Sequence, residues 1–203
     1  MNHQPATIIF DMGNVILPFD LLKPSAILGE RAGKTATEVA SLIYHNNLER
    51  WFEQGIIDGD RFTQGVSAAL QIELAKREFH DLWSDMFTEN VEVSQLVKQL
   101  KPHHKLILLS NTNPWHWHYA LEHFSIISEF PDWVLSYEVG VLKPHPAIYR
   151  AALEKTLPGD RVIFIDDIET NVAAARIMGI SGIHFQSAEQ LKQELLALDC
   201  RLD

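Results

Sequence analysis

The chain has 203 residues, with 17 Lys+Arg against 27 Asp+Glu, a formal net charge of −10. With 46% hydrophobic and 22% charged residues it has the composition of a folded globular protein of one domain, with room for an insertion, and general disorder is excluded. The negative surplus repels phosphate backbones and anionic lipid, so neither nucleic acid nor a membrane surface is an expected partner.

The single cysteine, Cys200, excludes an intramolecular disulfide and offers no cysteine metal site. Met1 to Pro5 is polar and lacks the pattern of a signal peptide, and no run approaches the roughly 18 apolar residues of a membrane span. A cytoplasmic location, as a monomer or small homo-oligomer, is the expectation.

In chain order, the first strand is Ala6 to Phe10 (ATIIF), followed at once by Asp11-Met12-Gly13-Asn14-Val15. About 90 residues then pass before the next apolar run, far more than one crossover helix requires. Thr35 with Glu38 forms a capping box opening a helix that runs to Phe52, and helices over Asp58 to Leu70 and Leu74 to Phe87 follow. This interval, 17–88, reads as a helical cap inserted into a core of 1–16 and 89–203.

Val91 to Leu100 carries helical periodicity at Val93, Leu96, Val97 and Leu100. The second strand is Leu106 to Leu109, ending in Ser110-Asn111-Thr112-Asn113; the third is Trp133 to Tyr137, followed by Gly140-Val141-Leu142-Lys143-Pro144. Pro146 to Leu157 begins a helix with a first-turn proline. The fourth strand, Arg161 to Ile165, ends in Asp166-Asp167, and a helix over Asn171 to Met178 stops at Gly179. A last strand, Gly182 to Phe185, leads to a helix capped by Ser187 and Gln190. Almost wholly apolar strands alternating with helices predict an α/β fold, an open parallel Rossmann-like sheet flanked by helices.

Ligands in such sheets bind beyond the carboxyl ends of the strands. There the sequence places a carboxylate (Asp11), a hydroxyl and amide suited to an anion (Ser110, Asn111), a lysine (Lys143), and two adjacent carboxylates (Asp166, Asp167). Mutual repulsion of the last pair would be relieved by a hard cation with oxygen ligands. Singly, each cluster is an ordinary turn or cap; four at successive strand ends specify one site.

These four segments, in this order, resemble the motifs of the haloacid dehalogenase-like hydrolase superfamily. Within it, Asp-x-Gly-Asn-Val, Ser-Asn-Thr-Asn and Leu-Lys-Pro followed by Ile-Tyr are similar to the sugar-phosphate phosphatases of the α-D-glucose-1-phosphate phosphatase type and to the N-terminal phosphatase domain of soluble epoxide hydrolase.

The resemblance implies a Mg²⁺-dependent phosphatase of a small phosphorylated metabolite, with Asp11 as nucleophile passing through an aspartyl phosphate. It implies that Asp11, the Gly13 carbonyl, Asp167 and Asp166, directly or through water, hold Mg²⁺. Ser110, the Asn111 N–H and Lys143 would bind the phosphoryl oxygens, with Asn171 in support.

Most phosphatases of the superfamily carry a proton-transferring Asp at the position of Gly13. Its loss typically costs roughly 10²–10⁴-fold, and His116, His118, Asp20 and His45 are candidate stand-ins. Two alternatives stay open. One is a haloacid dehalogenase, for which the resemblance predicts an aromatic residue near Gly13 and an arginine near the halide. The other is a phosphate-ligand binding protein with little turnover.

Overall fold

The computed structural model describes residues 5–202; the polar lead-in Met1–Gln4 and the terminal Asp203 lie outside them. Five strands, β1 (Ala6–Phe10), β2 (Lys105–Ser110), β3 (Asp132–Leu135), β4 (Arg161–Asp166) and β5 (Ser181–His184), form one sheet in the order β3-β2-β1-β4-β5. All four pairings are parallel.

Between β1 and β2 lie α1 (Leu22–Ala32), α2 (Ala36–His45), α3 (Leu48–Glu53), α4 (Gly59–Leu70), α5 (Lys76–Ser84) and α6 (Val91–Leu100). Then come α7 (Pro114–His123), a 3-10 turn (Ser125–Glu129), α8 (Ser136–Val139), α9 (Pro146–Leu153), α10 (Glu169–Ile177) and α11 (Ala188–Ala197).

Parallel strands covered on both faces must be apolar throughout, and the five residues of β1 are all buried. Alternation divides them. Ile8 and Phe10, with Leu106, Leu108, Ile163 and Ile165, pack with the apolar sides of α6 and α11. Ile9, with Ile107, Leu109 and Phe164, packs with Ile148 and Tyr149 of α9 and Ala175 of α10. Each large side chain so buried contributes roughly 1.5–3 kcal/mol.

Helices α1 to α5 form the inserted cap. The chain enters and leaves it side by side: Asp20 N–H donates to the Met86 carbonyl at 3.0 Å and Thr88 N–H to the Pro18 carbonyl at 2.8 Å. Phe52 of α3, Phe62 of α4 and Phe79 of α5 surround Trp115, which belongs to α7 of the core, with ring centroids 5.1, 5.7 and 5.7 Å from its indole. Gly59 is required by this seat, since a Cβ there would stand 2.5 Å from the indole.

Several boundaries differ from expectation. The helix predicted from Thr35 to Phe52 does open with the Thr35–Glu38 capping box, but it is broken where Asn47 adopts a left-handed φ of 54°, a conformation Asn tolerates better than most residues. The strand predicted to reach Tyr137 stops at Leu135, because Ser136 and Tyr137 turn into α8, ended by Gly140 in the left-handed region. Helix α5 covers only Lys76–Ser84, and α9 ends at Leu153. The Ser187–Gln190 box is formed.

Candidate active site

β1 lies between β2 and β4, so the order of the strands reverses around it and a crevice opens at its carboxyl end. Register fixes what faces that crevice. Phe10 is level with Ile165, and Asp11 N–H continues the ladder to the Ile165 carbonyl at 2.8 Å. The next residues, Asp11 and Asp166, therefore stand side by side.

Lys143, 5% exposed, reaches between them, its Nζ 2.7 Å from Asp11 Oδ1 and 2.7 Å from Asp166 Oδ2, and it also donates to the Leu109 carbonyl at 3.0 Å. Asn111 fixes the lysine backbone in two directions, accepting from Lys143 N–H at 2.7 Å and donating to its carbonyl at 3.1 Å. Asp166 accepts from Ile168 N–H, from Lys143, and from Asn171 Nδ2 on both oxygens at 3.0 and 3.1 Å. Asn171 is itself held by Tyr149, whose hydroxyl donates to the Asn171 carbonyl at 2.8 Å. Asp167 accepts from Asn14 Nδ2 at 2.9 Å, and Asn14 reaches it from a left-handed φ of 53°.

Oxygens of Asp11, Asp166 and Asp167 lie within 4.8 Å of one another. One ammonium cannot neutralise three carboxylates. Burial raises the Asp11 carboxyl, Lys143 pulls it down, and Asp166 and Asp167 raise it again, leaving it at about 7. Burial opposes the charge on Lys143, but Asp11 and Asp166 outweigh it and hold the ammonium above its ordinary range. An all-oxygen, over-negative donor set is what a hard divalent cation requires, so the residues fit one. Asp11 itself accepts from Met12 N–H (2.7 Å) and Lys143 on Oδ1; among the described residues no hydrogen bond goes to Oδ2.

Ser110 is buried and, with Asn111 and Thr112, lines an inner pocket beside Met12, Gly13 and Phe19. Among the described residues its hydroxyl has only a long 3.4 Å contact to the Asn111 carbonyl. The Thr112 hydroxyl is buried without a hydrogen-bond partner among the described residues. The pocket meets an outer cavity of about 900 Å³ lined by Tyr44, His45, Arg50, Lys143, Pro144 and Ile168, among others.

Two cap residues that sequence reasoning missed, Glu49 and Glu53 of α3, line both spaces. They are one helical turn apart. Burial raises Glu49 to about 7, and burial together with Glu49 and Asp11 raises Glu53 well above the carboxylate range, against the pull of Lys143.

The expectation that His116 could replace the missing proton donor is corrected: burial lowers it to about 4, and its ring is occupied, Nδ1 3.0 Å from Asn113 Nδ2 and Nε2 3.2 Å from the Trp83 carbonyl. Of the other three candidates, His118 is exposed, Asp20 accepts from Leu22 N–H, and the His45 ring contacts the Ser41 carbonyl at 2.7 Å.

A family model described as haloacid dehalogenase-like hydrolase matches residues 5–179. Among solved structures, a haloacid dehalogenase (HAD) family enzyme from Bacteroides thetaiotaomicron superposes with a TM-score of 0.81 at 23% identity, covering 94% of this chain and 98% of that chain. The wild-type form of that enzyme in complex with magnesium and inorganic phosphate gives 0.77 at 23% identity over 90% and 95%. L-2-haloacid dehalogenase from Xanthobacter autotrophicus with chloropropionic acid covalently bound gives 0.66 at 18% identity over 96% and 83%. Among curated proteins no sequence matches. The fold, the strand-end constellation and the family match agree: the chain belongs to the haloacid dehalogenase-like hydrolases.

Proposed function

We propose that the protein is a Mg²⁺-dependent phosphatase that hydrolyses a small phosphorylated metabolite, of the sugar-phosphate class, through an aspartyl phosphate on Asp11. The observation that carries this reading is the trio Asp11, Asp166 and Asp167 gathered within 4.8 Å around a single buried ammonium. The magnesium and phosphate bound by the Bacteroides thetaiotaomicron enzyme of the same fold support it.

In this reading Asp11 Oδ2 attacks phosphorus while Oδ1 stays fixed by Met12 N–H and Lys143. Asp11, the Gly13 carbonyl and Asp167 would hold Mg²⁺. Asp166, whose two oxygens already accept from Ile168, Lys143 and Asn171, would act through water. Bound there, Mg²⁺ supplies charge neutralisation to the phosphoryl oxygens. Ser110, the Asn111 N–H and Lys143 would bind those oxygens, and water would then release phosphate from Asp11. The cap, taken as 17–88 on a core of 1–16 and 89–203, would exclude bulk water and choose the leaving group.

Phosphate release from a sugar-phosphate panel with Mg²⁺, absent with EDTA and absent in Asp11→Asn, tests this. A panel on which wild type and Asp11→Asn behave alike would sink it.

A second reading, a haloacid dehalogenase, is favoured by one contact: Phe19 lies against Gly13, with Cε1 3.2 Å from where a Cβ would be, and Arg50 lines the outer cavity. Such an enzyme needs no metal, and halide release that survives EDTA would decide for it. Stoichiometric Mg²⁺-dependent phosphate binding without turnover would mark the third reading, a binding protein.

A further inference from the structure

A sugar alkoxide leaving phosphorus needs a proton, and position 13 cannot deliver one. It carries no side chain, and the Phe19 ring fills the space that a side chain there would enter. The other titratable groups around the inner pocket are committed. Lys143 serves Asp11, Asp166 and the Leu109 carbonyl, Asp166 accepts from three residues, Asp167 is held by Asn14, and both His116 nitrogens are occupied. Glu49 and Glu53 remain.

Of these, Glu53 is built into the site. Ser136 Oγ donates to the Glu53 carbonyl at 2.6 Å and accepts from Thr112 N–H at 2.9 Å, so one hydroxyl ties the cap residue to the loop that carries Ser110. Two residues on, the backbone presses on the core: a Cβ at Gly55 would stand 2.5 Å from the Tyr137 carbonyl. Glu53 lines the inner pocket together with Ser110, Asn111 and Thr112, so its side chain shares that space with the groups assigned to the phosphoryl oxygens.

We infer that Glu53 is the catalytic acid and base of this enzyme, performing from the cap the proton transfers that Gly13 cannot. The inference rests on the phosphatase reading. In the first step Asp11 Oδ2 bonds to phosphorus, the bond from phosphorus to the leaving oxygen breaks with its electron pair on that oxygen, and the Glu53 carboxyl gives that oxygen its proton. In the second, the Glu53 carboxylate takes a proton from water, the water oxygen bonds to phosphorus, and Asp11 leaves as a carboxylate. Glu53 ends as it began. The charges that act on it are Glu49 on its own helix, Asp11 after β1 and Lys143 before α9, and His45, Arg50 and His145 line the outer cavity with it. The first two favour its protonated form and the third opposes it, which suits a residue that starts the cycle as an acid.

The test compares wild type, Glu53→Gln and Glu53→Asp in Mg²⁺ with glucose 1-phosphate, whose leaving alkoxide needs a proton, and with p-nitrophenyl phosphate, whose phenolate does not. Glu53→Gln should lose roughly 10²–10⁴-fold on glucose 1-phosphate, while the stopped-flow burst of nitrophenolate changes by less than about tenfold and is followed by slow turnover. Glu53→Asp, which keeps the carboxyl, should regain part of the glucose 1-phosphate rate.

Equal losses in both assays, a glucose 1-phosphate rate within about tenfold of wild type, or full recovery of Glu53→Gln at high Mg²⁺ would each overturn the assignment. The last outcome would make Glu53 a metal-binding residue. A wild type silent on both substrates and on the whole sugar-phosphate panel would instead overturn the phosphatase reading, and the role of Glu53 with it; where only another panel member is hydrolysed, that member replaces glucose 1-phosphate in the comparison. Circular dichroism of both variants separates loss of chemistry from loss of fold.

Discussion

The buried Asp11 makes a prediction for stability that needs no substrate. Its carboxyl rises from 3.8 to about 7 in the folded chain, so between those values the folded state holds a proton that the unfolded state has lost. Stability therefore falls as pH rises through that window. From about pH 5.5 to about pH 8 the change spans roughly 1.5 pH units below the folded value, or about 2 kcal/mol at 1.36 kcal/mol per unit. For a chain of this size that is about 4–8 °C in Tm.

Glu49 and Glu53 are raised in the same direction, so the wild-type slope is steeper than this, and the Asp11 share is the difference between wild type and Asp11→Asn. Mg²⁺ competes with the proton. At about 100 times its Kd it should add about 2.7 kcal/mol near pH 8, less near pH 5.5, and little to Asp11→Asn. Differential scanning calorimetry at the two pH values, with Mg²⁺ and with EDTA, reads all four quantities. Equal pH slopes in the two proteins, or equal Mg²⁺ shifts near pH 8, would refute the account of an over-negative, cation-seeking cluster.

Other outcomes follow from single contacts. Lys143→Met leaves Asp11 and Asp166 buried without their shared ammonium and should cost about 3–5 kcal/mol in urea unfolding. Asn171→Leu removes both bonds to Asp166 and should weaken Mg²⁺ binding by roughly 10–100-fold in titration calorimetry. Gly59→Ala drives a methyl group against Trp115 and should cost about 1–3 kcal/mol of thermal stability. His116, lowered to about 4 by burial, should show no imidazole titration by NMR above about pH 5.5, whereas a proton-donating histidine would titrate near neutrality.

Sequence reasoning reached the strand-end residues because each follows an apolar run by one step: a strand both faces of which are buried announces itself, and what comes next lies at its carboxyl end. Lys143 was reachable less directly, as the lysine of the loop between the third strand and the next helix, although β3 and α8 both end before it; its burial was not reachable, since nothing in Leu-Lys-Pro says that two carboxylates will converge on it. Asn14 lies within the first motif, yet its bond to Asp167 depends on a left-handed backbone that the sequence only permits.

Glu49 and Glu53 were out of reach. They stand about 40 residues from Asp11 on a six-residue helix, too short for periodicity to say which side meets the core. The failed extension of β3 into Ser136 and Tyr137 has a similar source. Strand propensity is local, while the Ser136 hydroxyl is recruited by Thr112 and Glu53, 24 and 83 residues away.

The indole of Trp115 has a consequence for anyone recombining such enzymes. It grows from a core helix but its surroundings are Phe52, Phe62 and Phe79, so a large part of the aromatic packing of the insertion is built around a residue outside itself. A chimera that exchanged 17–88 for a foreign module would strand a large ring without its socket, and one that moved 17–88 elsewhere would carry an empty socket along. The transferable unit is the insertion together with the first turn of α7, and that turn begins at the end of the loop holding Ser110. Exchanging specificity here means carrying part of the phosphate site with it.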